Sequence, residues 1–173
     1  YGTDNMDQAF LAKVKEQKAD RIVMVDVGID SNQEFVQELE RLCDRLMIID
    51  HHKLVHDFNS PTTVLVKAEQ VSDTPASSYA NAKLCFDLFS KLTNIASLDW
   101  LACVGITGDM AGKEWSVFYS AVLKKHGLQQ ADIDKIVWMV GAVEILAFDK
   151  LGELCDEFYK AKNPKELLKS SFF

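Results

Sequence analysis

Two kinds of apolar pattern follow one another along this chain. The first third alternates short apolar runs with helical periodicity, and the remainder is helical throughout. Ile22-Val23-Met24-Val25 ends in Asp26-Val27-Gly28 and reads as a strand buried on both faces, as in a parallel sheet. Ser31 with Glu34 three residues on forms a capping-box pattern. Phe35, Val36, Leu39, Leu42 and Cys43 then recur at helical spacing. A second apolar run, Leu46-Met47-Ile48-Ile49, ends in Asp50-His51-His52. Strand, helix and strand in about thirty residues is the size of one βαβ unit.

A third strand is expected at Thr63-Val64-Leu65-Val66, after the turn residues Asn59-Ser60-Pro61. Thr74-Pro75 then reads as a helix start with proline in the first turn, and Tyr79, Ala82, Cys85, Phe86 and Phe89 as that helix's apolar face. Further helical patterns cover 98–109, 114–126, 131–146, 151–161 and 164–169, with Gly112 and Gly127 as punctuation. The first residues of the chain form no obvious element. The expected fold class is α/β: a parallel sheet with flanking helices and a helical second half, in a single domain over residues 1–173. Three parallel strands are few for a doubly wound sheet, and the chain opens on Tyr1 rather than Met. An opening strand–helix unit is therefore expected upstream.

Composition narrows the partners. With 173 residues, 48% of them hydrophobic, the chain can bury a substantial core. No apolar stretch approaches the roughly 18 to 20 residues needed to span a bilayer, so a cytoplasmic protein with no membrane partner is expected. The four cysteines are widely spaced among apolar residues and read as small buried thiols. A net charge of −7 does not attract polyanions unspecifically. An acidic protein still binds phosphate where a metal ion supplies the local positive charge.

Ligands of open α/β sheets bind beyond the carboxyl ends of the strands. Two strands here deliver acids to that edge, Asp26 and Asp50, and the second adds two histidines. Neighbouring strands lie about 4.8 Å apart, so groups at adjacent strand ends reach one ion. A mixed Asp/His set suits Mn²⁺, Fe²⁺ or Zn²⁺ better than Mg²⁺. Adjacent histidines cannot point the same way while strand geometry persists, so one is expected on the metal and the other on substrate. The bland alternative is two polar residues at a strand end.

Val25-Asp26-Val27-Gly28, Ile48-Ile49-Asp50-His51-His52 and Gly105-Ile106-Thr107-Gly108-Asp109 resemble the second, third and fourth motifs of the DHH phosphoesterase superfamily. That superfamily includes RecJ-type single-strand exonucleases, nanoRNase and cyclic-dinucleotide phosphodiesterases, and family II inorganic pyrophosphatases. Ser72-Asp73-Thr74-Pro75-Ala76-Ser77-Ser78 also falls where the family places a small-residue helix start. The resemblance implies a two-metal Mn²⁺ site, with Mg²⁺ as a substitute. Asp26 would bridge the metals, His51 and Asp109 would ligate one of them, His52 would face the scissile phosphate, and Asp50 would orient the histidines. Without the family pattern Asp109 would be a solvated helix-end acid.

The family's first motif, His-x-x-x-Asp-x-Asp, has no match before Asp26, and its C-terminal domain with a glycine-rich loop has none either. Both are expected in the full-length protein, so the chain by itself should bind metal weakly and turn over little. Gly108 stands where many members carry threonine.

Lys53 stands within reach of a phosphate, although loop lysines are ordinarily just solvated. The helix start containing Ser77 offers free amides to a phosphate oxygen. His126 reads as a helix-end cation beside Gly127, and Trp100, Trp115 and Trp138 as core or inter-domain residues. Lys160, Lys162, Lys165 and Lys169 read as a solvated face. The functional expectation is hydrolysis of phosphodiesters in short single-stranded nucleic acid or small nucleotides. The alternative is a catalytically silent scaffold of the same fold in a replication or repair complex. A homodimer is compatible with either.

Overall fold

A computed structural model of the chain describes residues 3–170, with side chains from Gln8 onward. Contacts divide it into two compact units, Tyr1–Ala76 and Ser77–Phe173. The boundary separates the α/β part from the helical part.

The first unit is a three-stranded parallel sheet in the order β1 (Arg21–Val25), β2 (Arg45–Asp50), β3 (Thr63–Lys67). Ile22, Leu46, Ile48 and Leu65 share one core with Phe35, Val36 and Leu39 of helix α2 (Gln33–Leu42). The apolar run of β2 is central and its second half is fully buried. β1 differs from the expectation of a strand buried on both faces, because Val23 and Val25 are 58% and 48% exposed. β1 lies at the edge of the sheet, and its β-branched residues alternate between a covered and an open side. A continuous apolar run could not reveal this.

A helix also precedes the sheet where none was expected: α1 (Thr3–Gln17). Val14 enters the core and Phe10 packs its ring against Phe35, with centroids 6.2 Å apart. Few apolar positions were needed, because only a narrow stripe of α1 meets α2. The helix ends at Lys18, a non-glycine residue with φ of 50°.

Helix α2 does not use the Ser31/Glu34 box. Ser31 is absorbed into a 3-10 turn over Ile29–Ser31, and its hydroxyl donates to the Gly28 carbonyl instead. Asn32 takes the cap, its side-chain oxygen accepting from the Phe35 amide at 3.1 Å. Between β2 and β3, Asn59 substitutes for a missing strand at the outer edge of β3. Its side chain accepts from the Leu65 amide and donates to the Leu65 carbonyl. A short helix, α3 (Ala68–Val71), follows β3 directly.

The second unit is helical: α4 (Asn81–Ser90), α5 (Asp99–Gly108), α6 (Ser116–His126), α7 (Gln130–Leu146), α8 (Leu151–Lys160) and α9 (Pro164–Leu167). Five of these match the periodic segments closely. The first does not: Pro75 precedes a 3-10 turn over Ala76–Ser78, and α4 begins only at Asn81. Its buried positions are Asn81, Lys83 and Leu84, while Ala82 of the expected face meets Gly105 of α5, Phe86 packs on Phe118, and Tyr79 is buried just ahead of the helix. The core gathers Trp100, Cys103, Ile106, Val122, Ile133 and Ile136. Gly127 closes α6 at φ of 60°, with the Leu128 amide donating to Leu123, as a left-handed cap requires. Gly112 lies in the turn between α5 and α6, where the left-handed residue is Met110.

Trp100 stacks on Phe158 in the interior and Trp115 donates to the Ser78 carbonyl at 2.7 Å, whereas Trp138 is exposed. Of the four thiols only Cys103 is buried; Cys43 and Cys85 are half-buried and Cys155 is exposed. Among the described residues no helix is long and apolar enough to cross a membrane.

Candidate functional site

The parallel register sets the site. Val25 pairs with Ile49, and Ile49 with Val66, so the three strands end side by side. Asp26 follows β1, Asp50 closes β2, and Lys67 closes β3 directly opposite Asp50. The Asp26 amide still donates to the Ile49 carbonyl at 3.0 Å, which ties this residue to the sheet. Its φ of 60° then turns the chain away. Left-handed backbone is uncommon for a residue with a side chain, though aspartate tolerates it better than most. Such local strain clusters at functional positions.

β2 stops at Asp50, so His51 and His52 leave strand geometry. The expectation that they point apart depended on that geometry persisting. Instead their rings meet edge to face with centroids 4.7 Å apart. One ligand atom each from Asp26, His51 and His52 lies within 4.8 Å of the others. His51 Nε2 stands 3.4 Å from Asp26 Oδ1. His51 is largely covered, with 14% of its side chain exposed, against 51% for Asp26 and 57% for His52. The cluster therefore has an inner wall and an open mouth.

A buried network underlies it. The Asp50 side chain is fully buried; its Oδ1 lies 2.7 Å from His52 Nδ1, and its Oδ2 accepts from Lys67 Nζ at 2.5 Å. Lys67 Nζ also donates to Asp30 Oδ1 at 2.7 Å, and Asp30 Oδ2 accepts the Val55 amide at 2.8 Å. Glu69 Oε1 accepts the Leu54 amide at 2.7 Å. Burial pushes the Asp50 carboxyl upward, but hydrogen bonds from Lys67 and His52, together with the charge of Lys67, outweigh it and hold it below the usual carboxylate range. Of the two histidines that Asp50 was expected to orient, His52 lies in hydrogen-bond contact with it.

Lys67 and Asp30 are the residues that sequence reasoning missed. Lysine at a strand end reads as solvated, and Asp30 sits in a turn. Only the register opposite Asp50 could have pointed to Lys67.

The remaining candidates are placed as follows. Lys53 is exposed on the loop after His52, and His56 shares that loop, 6.3 Å from the Phe58 ring. Ser77 is exposed in the 3-10 turn of the second unit, not at the start of an α-helix, so the amide site proposed there has no helix behind it. Asp109 belongs to the second unit as the C-cap of α5, half-buried, its amide donating to the Gly105 carbonyl at 2.9 Å. His126 pairs with Asp99 Oδ1 at 2.6 Å rather than serving only its own helix end. Among the described residues Asp26, His51 and His52 are the one group spaced to hold a metal ion. No family model, no curated protein and no solved structure matches this chain.

Proposed function

We propose that this chain carries the metal-binding strand ends of a DHH-type phosphoesterase. Its substrates would be the phosphodiester bonds of short single-stranded nucleic acid or small nucleotides, and its metal Mn²⁺. The observation that supports the reading is the convergence of Asp26, His51 and His52 at the carboxyl edge of two adjacent parallel strands. The donor set fits an ion. Ligand bonds of about 2.0–2.2 Å place donors roughly 3 to 4.4 Å apart around one centre, and the cluster needs only small side-chain movements to reach that from within 4.8 Å. One carboxylate with two imidazoles favours Mn²⁺, Fe²⁺ or Zn²⁺ over Mg²⁺.

A bound divalent ion would supply Lewis acidity toward a phosphoryl oxygen and would acidify a water molecule. The chain's residues do the rest. His51 would hold the ion from the covered inner side and Asp26 from the open mouth. His52 is fixed at Nδ1 by Asp50, so its Nε2 is the atom left for chemistry. That atom would complete the ion's ligand set beside Asp26 and His51. Asp109 is included among the ligands on the strength of its motif alone.

The test is cleavage of an end-labelled short oligonucleotide by the full-length gene product in Mn²⁺, beside its Asp26→Asn and His52→Ala variants. Cleavage that both substitutions abolish is expected. No cleavage with any divalent ion, or cleavage indifferent to the substitutions, overturns the proposal. No bound or bindable Mn²⁺ in that protein would favour the silent scaffold.

A further inference from the structure

A fully buried lysine is rare, because removing an ammonium from water costs several kcal/mol unless its partners replace the lost hydration. Lys67 meets this condition with two buried carboxylates, Asp50 at the end of β2 and Asp30 in the 3-10 turn after β1. Apolar side chains of similar volume would often fill such a place at no loss of stability. The network must be judged by what its outer atoms do. Each carboxylate spends one oxygen on Lys67 and turns the other outward: Asp50 Oδ1 to His52 Nδ1, Asp30 Oδ2 to the Val55 amide. The segment 52–55 is thus gripped at both ends by groups that Lys67 orients. With Lys67 on its other oxygen Asp50 stays ionised, so it faces the imidazole as an acceptor only.

We propose that Lys67 is the positioning residue of the site: through Asp50 it selects the Nδ1–H tautomer of His52 and aims Nε2 outward. The catalytic consequence rests on the phosphoesterase reading, whereas the hold on His52 does not. Free imidazole of histidine prefers the opposite tautomer, so the effect is readable in the metal-free protein.

The experiment is long-range ¹H–¹⁵N NMR of the histidine rings at about pH 8, where an ordinary imidazole is neutral, followed by Mn²⁺ calorimetry. Wild type is compared with Lys67→Met/Asp30→Asn, which removes one cation and one anion together and so avoids two facing carboxylates without a counter-charge. His52 is expected in the Nδ1–H form in wild type. In the double variant it should shift toward Nε2–H, and Mn²⁺ affinity should fall by about 10- to 100-fold, as for other residues that orient a ligand. Wild-type His52 in the Nε2–H form overturns the proposal whether or not the variant folds. A folded variant with unchanged ring shifts and unchanged affinity overturns it as well. A wild type that shows the Nδ1–H form yet binds no divalent ion refutes the phosphoesterase reading and leaves the role of Lys67 standing.

Discussion

Helices α4 and α5 approach each other at Gly105 so closely that a methyl group there has no room. A Cβ added to Gly105 would lie 2.4 Å from the Ala82 Cβ, with the Ala82 Cα and N at 3.6 and 3.7 Å. The obstacle is the root of a side chain, so no rotamer change relieves it; the helices must part locally by about 1 Å to reach ordinary contact. Trp100, Cys103 and Ile106 of α5 are fully buried and would lose packing as they do. Overpacking of this kind costs about 1–3 kcal/mol, and the better helix propensity of alanine returns at most ~1 kcal/mol. Gly105→Ala should therefore destabilise the protein by about 1–2 kcal/mol, a fall in Tm of roughly 2–8 °C. Urea unfolding followed by tryptophan fluorescence and circular dichroism measures it. Adding Ala82→Gly removes the obstructing atom, and the double-mutant cycle should return a favourable coupling of about 1 kcal/mol or more. Stabilisation by Gly105→Ala alone, as propensity by itself requires, would refute the packing argument.

Other outcomes follow from the same geometry. Asp26→Gly relieves left-handed backbone strain, so it should raise stability by up to ~1 kcal/mol while abolishing Mn²⁺ binding; a variant that loses both opposes the strain reading. Asp50 has its carboxyl held below the ordinary value, so its contribution is complete above the unfolded-state value near 3.9 and is lost as pH falls through the lower folded value. Denaturation midpoints taken down from pH 5 should fall, and the acid slope should be shallower in Asp50→Asn; equal slopes would assign acid sensitivity elsewhere. Burial pushes the Cys103 thiol up to about 12, which keeps it protonated and enclosed at pH 8. A thiol reagent should modify exposed Cys155 first and Cys103 only on unfolding.

The elements legible in the sequence were those whose pattern is self-contained. The runs at 22–25 and 46–49, the helix between them and the long helices α5 to α8 carry their periodicity within one segment. What escaped depended on partners. Helix α1 meets the sheet unit through Phe10, Leu11 and Val14, too sparse a stripe to register. Pro75 looks like a first-turn proline, yet the chain takes a 3-10 turn and defers the helix to Asn81. The openness of β1 depended on its place at the sheet edge. At the site, Asp26, His51 and His52 were identifiable as strand-end residues, but the meeting of both rings arises from β2 stopping at Asp50. Lys67 and Asp30 could be found only through register, since their role is defined by each other.

The central claim, that Asp26, His51 and His52 form one metal site, is tested most directly by titrating Mn²⁺ into isotope-labelled chain and following paramagnetic broadening. The account predicts that the signals of Asp26, Val27, His51 and His52 vanish first, with Lys67 and Asp30 close behind, and that Asp26→Asn raises the required metal concentration at least tenfold. Broadening that begins elsewhere, or that is the same in Asp26→Asn as in wild type, would contradict it.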